Sequence, residues 1–399
     1  MNRLILSIAC LASLSLFGCK DFVQNIQAPI SSVDDKLLSS ESQTNFVVTG
    51  VIATFNNTTA QLTCLSDGLS DALVFDTRLS TATYPTYLEV DMGNIRINNG
   101  SVEDAELALG QLRLYADTLV SRAKGITYKD TSLRNLAMFT GYFYGGVARY
   151  YYATYFALNP TEGGGVINLS PFIPSSQMYA LALERLNLAL QYATPDQAAQ
   201  THTLIARIHL LTGDYTTAAT DAGMGMQSGA SDLLCKFSSE ASNFWWSTAG
   251  NGRLQFTLDP RFHQYVQDDP KEAARLPMVP VPIDSTLTLY QQDKYPEDAS
   301  SISFLTWQEN ELILAECAAR ANDLNGALGH VNSVRTSHGL DQLTSISLDS
   351  IYIERDKELF CTGARLADER RFNKWHLGAD TWQYLPITQR ERTANPNLH

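Results

Sequence analysis

The chain carries one helical-hairpin pattern twice, and this repetition constrains its fold more than any other feature. In the first copy, a helical run over about 198–212 is followed by the turn Gly213-Asp214-Tyr215 and a second run over 216–226. The segment 309–335 repeats the pattern, with Asn322-Asp323-Leu324 as its turn. The small residues that would let paired helices pack closely are Ala206, Ala218, Ala222, Ala315 and Ala327. Because stacked hairpins share a core, the pattern predicts a mainly α-helical superhelix.

These small residues fall where a hairpin of the tetratricopeptide type has its own. Ordinary helical hairpins are the alternative interpretation of each copy taken alone. The two copies are not in tandem, because the segment over about 228–303 separates them. A continuous solenoid would not be interrupted in this way. The sequence therefore predicts an insertion between two parts of one helical body.

Further helices are predicted before the first hairpin, over about 101–125, 133–156 and 177–193. The first begins with the capping-box pattern Ser101-Val102-Glu103-Asp104, and Ser175 or Ser176 would cap the third. The second contains three glycines, which disfavour a helix, and we therefore expect a neighbouring element to approach it closely. These glycines are Gly141, Gly145 and Gly146.

Two regions lack a sustained helical period. One covers about 54–97 and is rich in Thr, Asn, Asp and Tyr. The other is the insertion, which holds six of the 14 prolines. Its stretch Met278-Val279-Pro280-Val281-Pro282 cannot continue a helix, because proline lacks an N–H donor and clashes with the preceding turn. Irregular segments on a rigid frame commonly hold binding residues, so we expect the ligand site in these two regions.

The N-terminus predicts export and lipidation. Residues 1–18 combine one Arg with a short apolar run, and Leu16-Phe17-Gly18-Cys19 resembles a bacterial lipobox. Cleavage would leave Cys19 to carry the acyl chains that anchor the protein in a lipid bilayer. An ordinary signal peptide with an incidental Cys19 is the alternative. Residues 19–30 would form a lipidated tether, and 31–399 a single domain with helical hairpins at about 101–227 and 304–376 and the irregular insertion at about 228–303.

Composition and motifs exclude several functions. The 29 Lys+Arg against 42 Asp+Glu give a formal charge of -13, which repels nucleic acid. No nucleophile, zinc, phosphate-loop or dinucleotide motif is present, so we predict no catalytic residue, no metal and no cofactor. The disulfide state of Cys64, Cys235, Cys317 and Cys361 stays open, although burial is expected for the last two. A glycoside hydrolase also stays open, because two carboxylates need no local motif.

Several motifs occur in a fixed order along the chain. They are the lipobox ending at Cys19, Gly213-Asp214-Tyr215 with Ala218-Ala219, the helix LILAECAAR at 312–320, VNSVR at 331–335, IERDKELF at 353–360 with Gly363, Arg365 and Asp368 after it, and the tail from Leu385-Pro386-Ile387 to Asn395-Pro396. Together they resemble the SusD/RagB family of surface lipoproteins that serve nutrient uptake in bacteria. Cys361-Thr362 and Thr388 depart from the family pattern, and the modest length suggests trimmed loops.

The resemblance implies a SusD-like α–α superhelix with a loop-rich insertion. It also implies a surface-exposed, lipid-anchored outer-membrane protein that captures a nutrient, usually a glycan and sometimes a peptide. Such a protein acts as the lid of a SusC-like TonB-dependent transporter, its expected partner, and performs no chemistry on the oligosaccharide or other polymeric nutrient. The alternatives are a secreted, lipid-anchored glycoside hydrolase and a tetratricopeptide scaffold that binds only proteins. The split hairpins argue against the scaffold.

Sugar binding needs flat aromatic faces with polar groups at their edges. The candidates from the two irregular regions are Trp245, Trp246, Tyr84, Tyr87, Tyr290, Asp67, Asp71 and Asn243. In an extended segment Trp245 and Trp246 would point to opposite faces, so we expect at most one of them to meet ligand. Packing of the insertion onto the helices is the alternative role for both.

The run from Glu354 to Arg371 predicts ion pairs. Its charged residues are Glu354, Arg355, Glu358, Arg365 and Asp368. Carboxylate–guanidinium pairs at this spacing would fix the orientation of the helices. A solvated, alternately charged helix face is the other interpretation.

Overall fold

The computed structural model describes residues 38–398, so the predicted signal peptide, Cys19 and the first part of the chain up to residue 37 lie outside the described residues. The α-helices are α1 (Thr44–Leu69), α2 (Pro85–Asp91), α3 (Gly100–Gly125), α4 (Thr131–Tyr155), α5 (Ser175–Leu190), α6 (Pro195–Thr212), α7 (Tyr215–Gly223), α8 (Phe244–Ala249), α9 (Pro260–Asp268), α10 (Trp307–Arg320), α11 (Leu324–Ser337), α12 (Leu348–Glu358), α13 (Arg365–Arg371) and α14 (Gln389–Ala394). The strands are β1 (Leu73–Val74), β2 (Phe156–Ala157), β3 (Gly164–Gly165), β4 (Ile173–Pro174), β5 (Leu233–Cys235), β6 (Thr257–Leu258), β7 (Met278–Pro282), β8 (Thr288–Gln292), β9 (Ile302–Leu305) and β10 (Leu385–Pro386). The mainly α-helical fold class predicted from the sequence is confirmed.

The two hairpins of the repeated pattern are α6–α7 and α10–α11, and they stack directly on each other. Helix α7 packs against α10. Ala218 and Ala222 of α7 form one buried cluster with Ala206 of α6 and with Ile313 and Cys317 of α10. The hairpins that are far apart in sequence are therefore neighbours in space, and the insertion leaves the stack and returns to it without separating its helices.

Helix α4 passes between α3 and α5, and its glycines make this possible. A Cβ at Gly141 would come 2.6 Å from Val120 Cγ2 of α3. A Cβ at Gly146 would come 2.8 Å from Leu186 Cγ of α5. Real Cβ atoms do not approach other heavy atoms so closely, so these positions need glycine. The expected close approach of neighbouring elements is confirmed.

Two predicted helix caps are wrong. Helix α3 is capped by Asn99, whose side chain accepts hydrogen bonds from the backbone N–H groups of Ser101 and Val102. Pro174 precedes α5, where no side chain caps the first turn. The hydroxyl of Ser175 donates instead to the carbonyl oxygen of Ala153 at 2.7 Å. Ser101 Oγ likewise lies 2.8 Å from Thr86 Oγ1, so contacts with other elements engage Ser101 and Ser175 in place of capping.

The prediction of an irregular segment over 54–97 is wrong for its first part, because α1 runs to Leu69. The error comes from the Thr-rich composition of this part, which is untypical of a helix. Thr54, Thr58 and Thr63 each donate their hydroxyl to the backbone carbonyl four residues earlier, so their polar groups are satisfied inside the helix. Burial against the core then outweighs the low helix propensity of threonine.

The insertion is fastened to the helical body by short two-stranded ladders. Strands β5 and β9, near its two ends, pair antiparallel. Strand β6 pairs with β1, which follows α1. The proline-rich stretch Met278–Pro282 is β7, which pairs antiparallel with β8. A two-stranded ladder has only edge strands, where proline is tolerated.

Buried ion pairs surround α12. Arg355 Nε and Nη2 donate to the two carboxylate oxygens of Asp368 at 2.8 and 3.1 Å. Glu354 accepts from Arg275 at 2.7 Å and from Arg335 at 2.8 Å. All five side chains are buried. The predicted carboxylate–guanidinium pairing is therefore confirmed, and removal of one partner would leave a buried charge unpaired.

Four cysteines of the described chain, Cys64, Cys235, Cys317 and Cys361, are buried free thiols. The expected burial of the last two is confirmed. No helix within residues 38–398 is long and apolar enough to cross a membrane.

Candidate ligand-binding surface

Tyr84 is the most exposed of the predicted aromatic residues. It precedes α2 in an extended conformation, and Pro85 occupies the first helical position after it. Tyr84 is 45% exposed to solvent. The ring of Tyr87, one turn into the helix, lies 5.8 Å from the ring of Tyr84 in an edge-on arrangement. The two tyrosines therefore form an aromatic corner with one ring open to solvent.

The insertion supplies a cation to this corner. Arg253 donates from Nη1 to the hydroxyl of Tyr84 at 3.0 Å and from Nη2 to Thr83 Oγ1 at 2.8 Å. Its guanidinium carbon lies 4.6 Å from the centre of the Tyr84 ring. Two hydrogen bonds and a cation–π contact thus fix a guanidinium against an exposed aromatic ring.

A buried glutamine holds the two loops together behind this contact. Gln255 Oε1 accepts from the backbone N–H groups of Thr83 at 3.1 Å and Tyr84 at 3.2 Å. Gln255 Nε2 donates to the carbonyl oxygen of Thr81 at 2.6 Å. Since Gln255 itself is buried, the conformation of the Tyr84 loop is set by the interior of the insertion.

Trp246 lies next to the Arg253 loop. It belongs to the short helix α8 and is partly exposed. Gly252 rests on its ring, and a Cβ there would lie 3.0 Å from ring carbons. The backbone N–H of Gly252 donates to the carbonyl oxygen of Trp246 at 2.9 Å. Tyr84, Tyr87, Trp246 and Arg253 together are called the aromatic surface below.

Trp245 does not belong to this surface, and its assignment to ligand binding is corrected. It is fully buried, and its Nε1 donates to Thr63 Oγ1 of α1 at 2.9 Å. The two tryptophans lie in a helix, where successive side chains point about 100° apart, so only Trp246 reaches the surface. Asn243 is corrected in the same way. It is buried and caps α8, accepting from Trp245 N–H at 2.9 Å.

Asp67 and Asp71 are corrected as well, because both have internal partners. Asp67 is buried at the end of α1 and accepts from Gly363 N–H at 3.0 Å, and burial raises its pKa to about 8. Asp71 binds the guanidinium groups of Arg365 and Arg261, with shortest distances of 2.6 and 2.9 Å. These hydrogen bonds and charges outweigh the effect of burial and lower the pKa of Asp71. The carboxylate of Asp71 is thus held by two guanidinium groups, and that of Asp67 lies in the interior.

Tyr290 lies on β8, where it has a partner within the protein. Its ring stacks on His263 at 3.9 Å between ring centres, and its hydroxyl is 2.9 Å from His263 Nε2. One face of the ring is therefore occupied within the protein. The neighbouring Gln291 donates to Asn251 Oδ1 at 2.6 Å and so connects β8 to the loop that carries Arg253.

The aromatic surface combines flat apolar faces with a fixed donor. Sugar C–H groups pack on aromatic rings, and a guanidinium donates to hydroxyl or carboxylate oxygens. Arg253 and Gln255 were not predicted from the sequence. No local pattern distinguishes them, because their partners are about 170 positions away in the chain.

The fold and part of the sequence match known proteins. Residues 309–397 match the model of the SusD family. A SusD superfamily protein from Bacteroides vulgatus superposes with a TM-score of 0.73 at 17% identity, over 90% of this chain and 97% of that one. A laminarin-binding SusD-like protein gives 0.70 at 15% identity, over 89% and 99%. Surface glycan-binding protein A from Bacteroides uniformis gives 0.66 at 14% identity, over 90% and 98%. No curated protein matches the chain in sequence.

The described part of the chain thus has the architecture of the SusD class, an α-helical body with a loop-rich insertion. The chain shares the fold of SusD superfamily proteins over most of its length, and its C-terminal segment, residues 309–397, matches the SusD family in sequence. The resemblance inferred from the motifs is confirmed.

Proposed function

We propose that the protein binds a glycan at the cell surface as part of a nutrient-uptake system. The single observation that carries the proposal is the exposed Tyr84 ring with Arg253 fixed against it and Trp246 beside them, on a SusD-like fold. Two structural relatives whose names state laminarin binding and surface glycan binding support the same class of ligand. The protein acts by binding and does not transform its ligand.

The lipid anchor and the transporter complete the proposal. Acylated Cys19 attaches the protein to the outer membrane, and the globular body acts as the lid of a SusC-like TonB-dependent transporter. Intact mass of the membrane-extracted protein tests the anchor, and a Cys19→Ser variant should leave the membrane fraction. Co-purification from the native outer membrane tests the partner. A monomeric protein at every expression level, free of any transporter, would contradict the role as a lid.

Affinity electrophoresis tests glycan binding. Laminarin is the first probe, followed by a panel of other polysaccharides. Tyr84→Ala should abolish the retardation that the unchanged protein shows. Tyr115→Ala is the matched control, because Tyr115 on α3 is also 45% exposed and lies outside the aromatic surface. Equal retardation of the two variants would refute the site, and release of reducing ends from the bound glycan would refute the non-catalytic role.

A further inference from the structure

The guanidinium of Arg253 is an exposed positive charge that no carboxylate neutralises. Within residues 38–398 its side chain donates to the Tyr84 hydroxyl and to Thr83 Oγ1, and it forms no ion pair. Other exposed arginines of the chain do pair with carboxylates, namely Arg78 with Asp76, Arg96 with Glu89 and Arg390 with Glu103. The aromatic surface therefore carries an uncompensated cation, and this bears on the class of glycan that it would bind.

More than half of the N–H groups of this guanidinium remain free for a ligand. An arginine side chain has five N–H donors, and Tyr84 and Thr83 use one on Nη1 and one on Nη2. The Nε–H group and one N–H group on each Nη are left. Since Arg253 is exposed, its side chain is open to a ligand that arrives from solvent.

The position of the guanidinium is fixed in the protein without a ligand. The backbone N–H of Arg253 donates to the carbonyl oxygen of Ser247 at 3.2 Å, which anchors the residue at the end of α8. The Tyr84 loop that receives its side chain is held by the buried Gln255, which accepts from the backbone N–H groups of Thr83 and Tyr84. A ligand that binds Arg253 therefore avoids most of the entropic cost of ordering a long, flexible side chain.

An acidic group gains more from this arrangement than a hydroxyl does. Hydrogen bonds from a guanidinium to an oxyanion are charge-assisted and about twice as strong as hydrogen bonds between neutral groups. The C–H face of a sugar ring can pack on Tyr84 or Trp246 while its acidic substituent reaches Arg253. The chain as a whole has a formal charge of -13, which repels acidic polymers at long range. Attraction of such a polymer therefore requires a local cation.

We propose that the aromatic surface selects an acidic glycan and that Arg253 recognises the acidic group. The inference rests on the proposed glycan-binding function and narrows its class of ligand. A carboxylate and a sulfate ester share the required chemistry, because both present oxygen atoms that accept charge-assisted hydrogen bonds from a guanidinium. The aromatic rings supply contact area for the sugar, and Arg253 supplies the discrimination between charged and neutral glycans.

Affinity electrophoresis at physiological salt tests the charge preference with matched pairs of polysaccharides. Polygalacturonate, alginate and hyaluronan carry carboxylates, and each is compared with its carboxyl-reduced form, in which a primary alcohol replaces the carboxylate. Dextran sulfate is compared with dextran. We expect at least one acidic polymer to retard the protein, with affinity at least about tenfold higher than that of its neutral counterpart. Retardation by the carboxylate polymers alone, or by dextran sulfate alone, would identify the acidic group that is recognised.

Two failures can be told apart in this experiment. Equal affinity for an acidic polymer and its neutral counterpart would overturn the acidic preference and leave the proposed glycan-binding function standing. Retardation by neutral glycans alone would have the same meaning. No retardation by any glycan, laminarin included, would contradict the proposed function itself, and the acidic preference with it.

The variant Arg253→Gln locates the preference. Glutamine removes the charge and keeps an N–H donor, so affinity for the acidic polymer should fall to that of its neutral counterpart. Arg390→Gln is the matched control, because it removes the same charge from an exposed arginine of α14 outside the aromatic surface. It should leave the affinity unchanged, and thermal unfolding should show that both variants are folded. An equal loss in the two variants, or an unchanged preference in Arg253→Gln, would overturn the proposal.

Discussion

The carboxylate of Asp67 accepts a hydrogen bond from the backbone N–H of Gly363 at 3.0 Å, although the two residues are almost 300 positions apart. The contact joins the last turn of α1 to the turn that leads into α13. Ser66 Oγ donates to the carbonyl oxygen of the same glycine at 3.0 Å, so both backbone groups of Gly363 are held by α1. The end of α1 and the turn before α13 therefore meet at one buried point.

Replacement of Gly363 by alanine should destabilise the protein. Its φ of 78° lies in the left-handed region, and a Cβ would come 2.7 Å from Thr63 Cα, which is backbone and cannot move aside easily. We expect a loss of about 2 kcal/mol or more in the free energy of unfolding, measured by urea denaturation. Gly339→Ala is the control. It also has positive φ, at 72°, but no atom lies within 4 Å, so a similar loss there would show that backbone strain alone explains the effect.

Asp67 should make stability depend on pH. Burial raises its pKa from the ordinary value near 3.8 to about 8, so the folded protein holds a proton there that the unfolded chain releases. The repulsion from Asp356 acts in the same direction, whereas Gly363 N–H, Lys294 and Arg261 oppose it. The contribution of this proton to the free energy of unfolding is fully present below pH 4, near the pKa of the unfolded chain, and it is lost progressively as the pH rises through 8.

An Asp67→Asn variant isolates this contribution. The amide keeps an oxygen for Gly363 N–H and cannot ionise. The stability of the variant should therefore fall less between pH 5 and pH 8 than that of the unchanged protein. Each pH unit in this interval corresponds to about 1.4 kcal/mol for one proton. Urea denaturation at several pH values measures the difference. Parallel pH profiles of the two proteins would contradict the raised pKa.

The close packing of α4 between α3 and α5 predicts that alanine at a glycine of α4 destabilises the protein, whereas alanine at an exposed glycine of α1 does not. Gly146→Ala would press a methyl group into Leu186, and we expect a loss of about 1–3 kcal/mol in stability. Gly50→Ala, in the exposed part of α1, has no atom within 4 Å and should gain about 0.5–1 kcal/mol from the better helix propensity of alanine. Thermal unfolding of both variants measures these two changes in stability. A stabilised Gly146→Ala protein would show that the helices can separate at no cost.

Helices with a clear apolar period could be predicted within a few residues, because burial of that face is also what stabilises them. The repeated alanines of the hairpins marked α6–α7 and α10–α11 for the same reason. Helix α1 could not be found in this way. Its polar threonines satisfy their hydroxyls on the helix itself, and only the folded core shows that residues such as Phe55 and Leu62 face inward.

The site was less predictable than the fold. Aromatic residues of the two irregular regions indicated where to look, but composition cannot separate Trp246 on the surface from Trp245 in the core. The distinction comes from the short helix α8 and from the hydrogen bond of Trp245 to Thr63, a residue 182 positions away.

The fixed fork of Arg253 should matter for binding beyond its charge. Lysine cannot donate to Thr83 Oγ1 and the Tyr84 hydroxyl with the same planar geometry, so Arg253→Lys would keep the charge and lose the defined orientation over the Tyr84 ring. We expect glycan affinity to fall several-fold while the melting temperature stays unchanged, because Arg253 is exposed and surface substitutions alter stability by about 0.5 kcal/mol or less.

Affinity electrophoresis on laminarin and the tightest-binding polysaccharide of the panel measures the glycan affinity, and thermal unfolding measures the melting temperature. Arg96→Lys is the matched control, since Arg96 is an exposed arginine that pairs with Glu89 outside the aromatic surface. Full glycan affinity in Arg253→Lys would mean that the positive charge suffices and that its orientation against Tyr84 has no role in recognition.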